Sequence, residues 1–464
     1  MLNRREFIAH SSTAGLAASF AAAASTSSLV AQDATKAQTP NVQSKVTVDL
    51  PRGRVPLAFI IDDSTCLVNM GKFCMPQFAT AMPDRDEYKK PWRDWPAEIP
   101  DSFVREFGTW CAEHDVRGKY SIVPYPACVG WLDRELPGWS RKELQDSLQL
   151  VRELMVPRWD IHPEMITHTR VIDLKTGRPH AEISAATMEN SFPQTDISVD
   201  QLTEYLAYAL RILKNCDLPC EGITTPGGFG NKVKQKLPQA VFEAVRDVYG
   251  TELPHYFKYV SMGEESVLPK FENVQNATSD KPTLTVNVPA GTGDWFGGWD
   301  GVVESQGHLY SNDDATAGRM VELIERREPA VMLCHWPGLY CNGLMTGYKQ
   351  FQKVVLALEQ RFKNETQWMK ISDIGRYWTA KEFTKFEVLG SEVRLNAPYA
   401  CTNFTFQISG TNRADKVILQ HGETKTALQE VASRSALVTN SFVRAAAGTT
   451  VCIDMPTGRS QIQL

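Results

Sequence analysis

The reading of one stretch decides the fold: VPLAFIIDDSTCLVN, residues 55–69. Its first seven residues are apolar and rich in branched side chains, the pattern of a buried strand. The run passes directly into two adjacent carboxylates, Asp62 and Asp63. Neighbouring like charges repel, and burying them costs free energy unless a counter-charge meets them. A cation at the end of this strand resolves the conflict, provided the rest of the chain supplies its other ligands.

Working outward, helices and strands alternate. Residues 101–114 repeat Phe103, Phe107 and Trp110 at helical spacing behind a cap at Asp101 or Ser102. VRGKYSIVPYP (116–126) reads as a second strand. SRKELQDSLQLVRELM (140–155) is a helix with a capping box between Ser140 and Glu143. RWDIHPEMITHT (158–169) reads as a third strand. Helices over 198–216 and 237–250 flank the strand-like CEGITTPGGFG (220–230). TLTVNVP (283–289) and PAVMLCHW (329–336) read as further strands. This order predicts parallel βα units over residues 51–380, a barrel or an open sheet. In such folds chemistry collects at the C-terminal strand ends, where Asp62, Asp63, His168 and His335 fall. From residue 381 to 464 short strands separated by Gly, Asn and Asp predict a small all-β, sandwich-like domain.

Composition sets wider bounds. The chain has 464 residues, 42% apolar and 22% charged, ordinary for a globular protein of one large and one small domain. A net charge of −5 without a long basic run excludes the usual signature of nucleic-acid binding. Residues 1–31 carry Arg4-Arg5, Phe7 and an Ala-rich, weakly hydrophobic stretch, which resembles a twin-arginine (Tat) signal peptide. That resemblance implies a periplasmic or secreted protein with no stable membrane insertion once the leader is removed. Residues 32–50 read as a polar linker. Ten cysteines in an exported chain are compatible with disulfides, and no CxxC spacing marks a zinc knuckle. Oligomeric state is left open.

Five motifs then fall in a recognisable order. They are Ile60-Ile61-Asp62-Asp63-Ser64, the strand Val116 to Val123, PEMITHT with Glu164, His168 and Thr169, Thr224-Thr225-Pro226-Gly227-Gly228, and Leu333-Cys334-His335. Together the chain from about 55 to 380 resembles the polysaccharide deacetylase (NodB homology, carbohydrate esterase family 4) superfamily. The resemblance implies a distorted (β/α) barrel and a divalent metal, zinc by ligand type, with another first-row metal also fitting. It implies metal ligation by Asp63 and His168, Asp62 as general base and His335 as proton donor to the leaving group. Pro226, Asp294, Trp295 and Trp336 are expected to bind substrate, with the GDWFGGWDG segment (293–301) orienting His335. The implied substrate is an N- or O-acetylated carbohydrate or glycan.

The chain departs from that pattern where the second metal histidine belongs, at Ile172, and at Thr224 and Ser64. His162 is the nearest substitute ligand if Pro163 bends the chain; Asp173 and His180 are others. The segment 170–197 is expected to form a lid or substrate wall. Two other readings stay open. One is a glycoside hydrolase-like barrel, which needs two carboxylates facing across a sugar. The other is a carbohydrate-binding protein that has lost its metal.

Overall fold

The computed structural model describes residues 46–409 and 416–464, so the expected leader and most of the expected linker lie outside the described residues. The α/β part is built on seven strands: β1 (Val55–Asp62), β2 (Gly118–Ser121), β3 (Trp159–His162), β4 (Gly222–Thr224), β5 (His255–Phe257), β6 (Thr283–Asn287) and β7 (Ala330–His335). All eight residues of β1 are buried, as its apolar run requires. Every pairing among the seven is parallel, with helices in every connection but that from β5 to β6, which holds the strand Lys270–Gln275 paired antiparallel with β6. The helix Arg141–Leu150 opens on the Ser140–Glu143 capping box that the sequence predicts.

The seven strands form two sheets, β7-β1-β2-β3 and β4-β5-β6. The sheets meet at two thin seams. At one, Glu164 bridges to Thr224, whose N–H donates to the Pro163 carbonyl at 3.1 Å. At the other, the Gly291 N–H donates to the Val331 carbonyl at 2.9 Å. The expected barrel is therefore corrected: no continuous ladder closes the strands among the described residues. Pro163 directly follows β3 and Pro289 lies just past β6, and neither has an N–H with which to extend a ladder.

The C-terminal region is all-β, as expected, in two five-stranded sheets. Phe386 of one sheet packs on Phe404 and Phe406 of the other, at centroid distances of 6.3 and 5.3 Å. The linker boundary needs correction. Val46–Val48, within the span read as linker, is a strand paired antiparallel with Cys401–Ile408. Tyr377 ties the two regions together: its hydroxyl donates to the Asp49 carbonyl at 2.9 Å and accepts from the Thr405 N–H at 3.2 Å. Every cysteine is a free thiol. No helix among the described residues is long and apolar enough to cross a membrane.

Trp336 is a further correction. It directly follows β7 but turns away from the strand ends, into a core cluster with Phe103 (4.8 Å), Phe107 (5.1 Å) and Tyr120 (5.4 Å). Only 1% of its surface is exposed, so it does not line a substrate pocket. Trp336→Ala is expected to lower unfolding stability by about 3–5 kcal/mol, the usual cost of emptying an aromatic core site. Urea denaturation measures this, and a stability unchanged within about 0.5 kcal/mol would refute the core assignment.

Candidate active site

The C-terminal ends of β1 and β7 are register neighbours, so Asp62 and His335 stand side by side. Asp62 is buried. Its Oδ1 accepts a hydrogen bond from the Lys119 ammonium, which also donates to the Ile61 carbonyl at 3.1 Å and the Ser121 hydroxyl at 2.8 Å. Lys119 has no exposed surface at all, and a wholly buried lysine requires such partners. Burial and the nearby Glu164 push the Asp62 carboxyl up, to about 6, against the opposing pull of Lys119 and His335.

Asp63 adopts left-handed backbone geometry (φ 57°), which sets its side chain apart from that of Asp62. Its N–H donates to Glu164 Oε2 at 2.7 Å. His168, also left-handed (φ 62°), brings Nε2 within 2.7 Å of Asp63 Oδ1 and 3.2 Å of Glu164 Oε1. Ligand atoms of Asp63, Glu164 and His168 thus converge within 4.8 Å of one another. Burial pulls the His168 imidazole down, but Asp63 and Glu164 outweigh it and hold the ring well above its ordinary range. One imidazole and two carboxylates converging on a point match the donor set of zinc and other first-row metals. The residues present therefore fit a divalent cation; Ile172 offers no donor and lies buried in the hairpin 172–179.

A brace that sequence reasoning missed holds His168 in place. Glu189, fully buried, accepts N–H bonds from Ile166 (3.1 Å), Thr167 (2.9 Å) and His168 (2.6 Å), and a hydroxyl bond from Tyr205 (2.6 Å). The segment 170–197 supplies this brace, and its Ala185, Asn190 and Ser191 wall the cavity. Nothing local in the sequence marks Glu189.

His335 Nδ1 bonds Asp294 Oδ2 at 2.8 Å, which orients the ring. Asp62, Asp63, Glu164, His168, His335 and Trp299 share one cavity of about 320 Å³, and Pro226 lies on its wall. Asp294 acts behind His335 rather than on the cavity surface. Trp295 turns onto Tyr310 at 5.0 Å, and Trp299 takes the lining position expected of it. His162 is not in this cavity: its Nε2 faces His255 Nε2 at 2.9 Å in a separate buried cluster. The substitute-ligand expectation for His162 is thereby corrected, because β3 ends at His162 and the turn beginning at Pro163 carries His168 away from it. Asp173 and His180 lie on and beside the outer hairpin, away from the cavity lining. A larger depression of about 570 Å³ on the C-terminal sheets, lined by Lys385, Arg394, Asn396 and Gln461, holds no convergent catalytic set.

No family model and no curated protein matches the chain. Among solved structures, it is similar to the 4-alpha-glucanotransferase of Thermococcus litoralis at 13% identity and a TM-score of 0.34, over 69% of this chain and 40% of that one. It is similar to Thermotoga maritima alpha-fucosidase in complex with fucose at 11% identity and a TM-score of 0.27, over 89% and 97% of the two chains. A glycoside hydrolase 29 family member from an unknown rumen bacterium matches at 11% identity and a TM-score of 0.33, over 89% and 72%. With TM-scores below 0.5, these likenesses carry no argument about the site.

Replacing Glu189 tests the brace. Glu189→Ala leaves three backbone donors and a tyrosine hydroxyl without their acceptor, an expected loss of about 2–4 kcal/mol. Amide exchange at Ile166, Thr167 and His168 is expected to accelerate more than exchange in β1. Equal protection in variant and parent would refute the brace.

Proposed function

We propose that this protein is a metal-dependent hydrolase of acylated carbohydrates, a divergent relative of the polysaccharide deacetylases on a parallel α/β scaffold of two sheets, exported by the twin-arginine route. The observation that carries the reading is the convergence of Asp63, Glu164 and His168 beside Asp62 and His335 in one cavity. The three convergent residues would hold a divalent cation, zinc by donor type. When bound, it supplies Lewis acidity, making a water more acidic and polarising an acyl oxygen.

The remaining work falls to the chain's own groups. Asp62 takes the proton of the attacking water, and Lys119 and Ser121 fix its carboxylate in position. His335 returns a proton through Nε2 to the departing amine or hydroxyl, with Asp294 holding the ring. Met75, Phe78 and Trp299 give the cavity an apolar side suited to an acyl methyl group, and Pro226 with the glycines after it forms a further wall.

One observation favours a second reading. Asp62 and Glu164 both line the one cavity, so a carboxylate pair of the kind that glycosidic cleavage uses is present there. Both readings take a carbohydrate and both are hydrolytic. A third reading, a carbohydrate-binding protein without a metal, is separated from both by metal content.

Acetylated oligosaccharides incubated with the full-length protein separate the readings. Deacetylation releases acetate without new reducing ends, and glycosidic cleavage does the reverse. His335→Gln is expected to lower kcat by about 100- to 10,000-fold with metal content unchanged, the range for a lost general acid. Asp62→Asn is expected to do the same and also to reduce stability, because it removes the charge that meets buried Lys119. Acetate release by both variants at the parental rate would place the chemistry elsewhere.

A further inference from the structure

The cluster that took His162 out of the cavity has its own chemistry. His162 ends β3 and His255 opens β5, and their Nε2 atoms lie 2.9 Å apart. Asp160, two residues before His162 and on the same face of β3, places Oδ2 3.9 Å from His255 Nε2. Donor atoms of all three lie within 4.8 Å of one another, and all three residues are buried.

The strand between them makes room. A Cβ on Gly222 of β4 would fall 2.6 Å from His162 Nε2 and 2.7 Å from His255 Nε2. Only glycine leaves open the point on which the two imidazoles converge. The outer contacts are those of a held ligand set. His162 Nδ1 is 3.3 Å from the Thr224 hydroxyl, and the Asp160 carboxylate accepts the Ser372 N–H and hydroxyl, each at 2.8 Å. A separate cavity of about 330 Å³, lined by Asp160, Glu221, Lys370 and Asp373, touches the cluster at Asp160.

We propose that Asp160, His162 and His255 bind a second divalent cation, zinc by donor type, which pins β3 to β5 across the seam between the two sheets. Two imidazoles and one carboxylate form an open zinc set, with water from the adjoining cavity in the fourth position. Bonds of about 2.0–2.1 Å space two nitrogens about 3.4 Å apart, so the rings part by about 0.5 Å on binding. The role is structural: the β3–β4 seam has little ladder of its own, and an ion shared across Gly222 reinforces it. This cation is independent of the one in the catalytic cavity.

Zinc content of the full-length protein, by elemental analysis after equilibration with zinc and removal of the excess, tests the proposal. Two equivalents per chain are expected, falling to one in His255→Ala, to one in His168→Ala and to none in the double variant. In His168→Ala, chelation is further expected to lower Tm, because a cation bound only by the folded state stabilises it. One equivalent that persists in His168→Ala and disappears in His255→Ala supports this site while removing the metal from the hydrolase reading. One equivalent lost in His168→Ala overturns the proposal, as does a protein without zinc. Both of these overturning results are read from the parent and His168→Ala, so they stand even if His255→Ala fails to fold.

Discussion

Three carboxylates, those of Asp62, Asp63 and Glu164, are buried together at the ends of parallel strands, and they cannot all be negative there without counter-charge. The site is the set of answers to that constraint. Lys119 rises from β2 to meet Asp62, and His168 comes round a tight turn to meet Asp63 and Glu164. Glu164 accepts the N–H of Asp63, joining the two halves of the cluster. A divalent cation is the strongest counter-charge the cluster can take, and the donor atoms already face one point. In its absence, a proton on His168 fills the same role.

The backbone is bent to serve this electrostatics. Asp63, Met165 and His168 all have φ between 53° and 62°, a region that costs about 1–3 kcal/mol for a non-glycine residue. Such geometry persists only when surrounding bonds over-determine it. Glu189 provides them for the 166–168 turn, with three N–H bonds to one carboxylate. The bond between Glu164 and the Asp63 N–H does so on the other side. Across the cavity, the bond from His335 Nδ1 to Asp294 orients the ring.

Much of this was legible in the chain. The apolar run into Asp62-Asp63 marked a buried strand and its charged end, and the helix–strand alternation implied parallel pairing. The GDWFGGWDG segment was placed beside His335, though the cavity took Trp299 rather than Trp295. Other features were closed to sequence reasoning for physical reasons. A bend at Pro163 was considered only as a way to bring in His162; that the same turn carries Glu164 to Asp63 and His168 was not legible. His162 looked like a spare ligand because its partner, His255, lies 93 residues away and only the fold joins them. Trp336 follows a catalytic-end histidine, but period-two alternation sends neighbours to opposite faces, and its face is the core. The barrel implied by the resemblance does not close into one ladder, because only a few seam bonds between distant segments join the two sheets.

The central claim is that Asp63, Glu164 and His168 form a cation site. Crystals of the full-length protein equilibrated with zinc, measured at the zinc absorption edge, test it most directly. The account predicts an anomalous peak about 2.0–2.2 Å from Asp63, Glu164 and His168 Nε2. No peak there, with His168 still bonded directly to Asp63, would contradict it and leave a protonated histidine as the counter-charge that the carboxylates were built around.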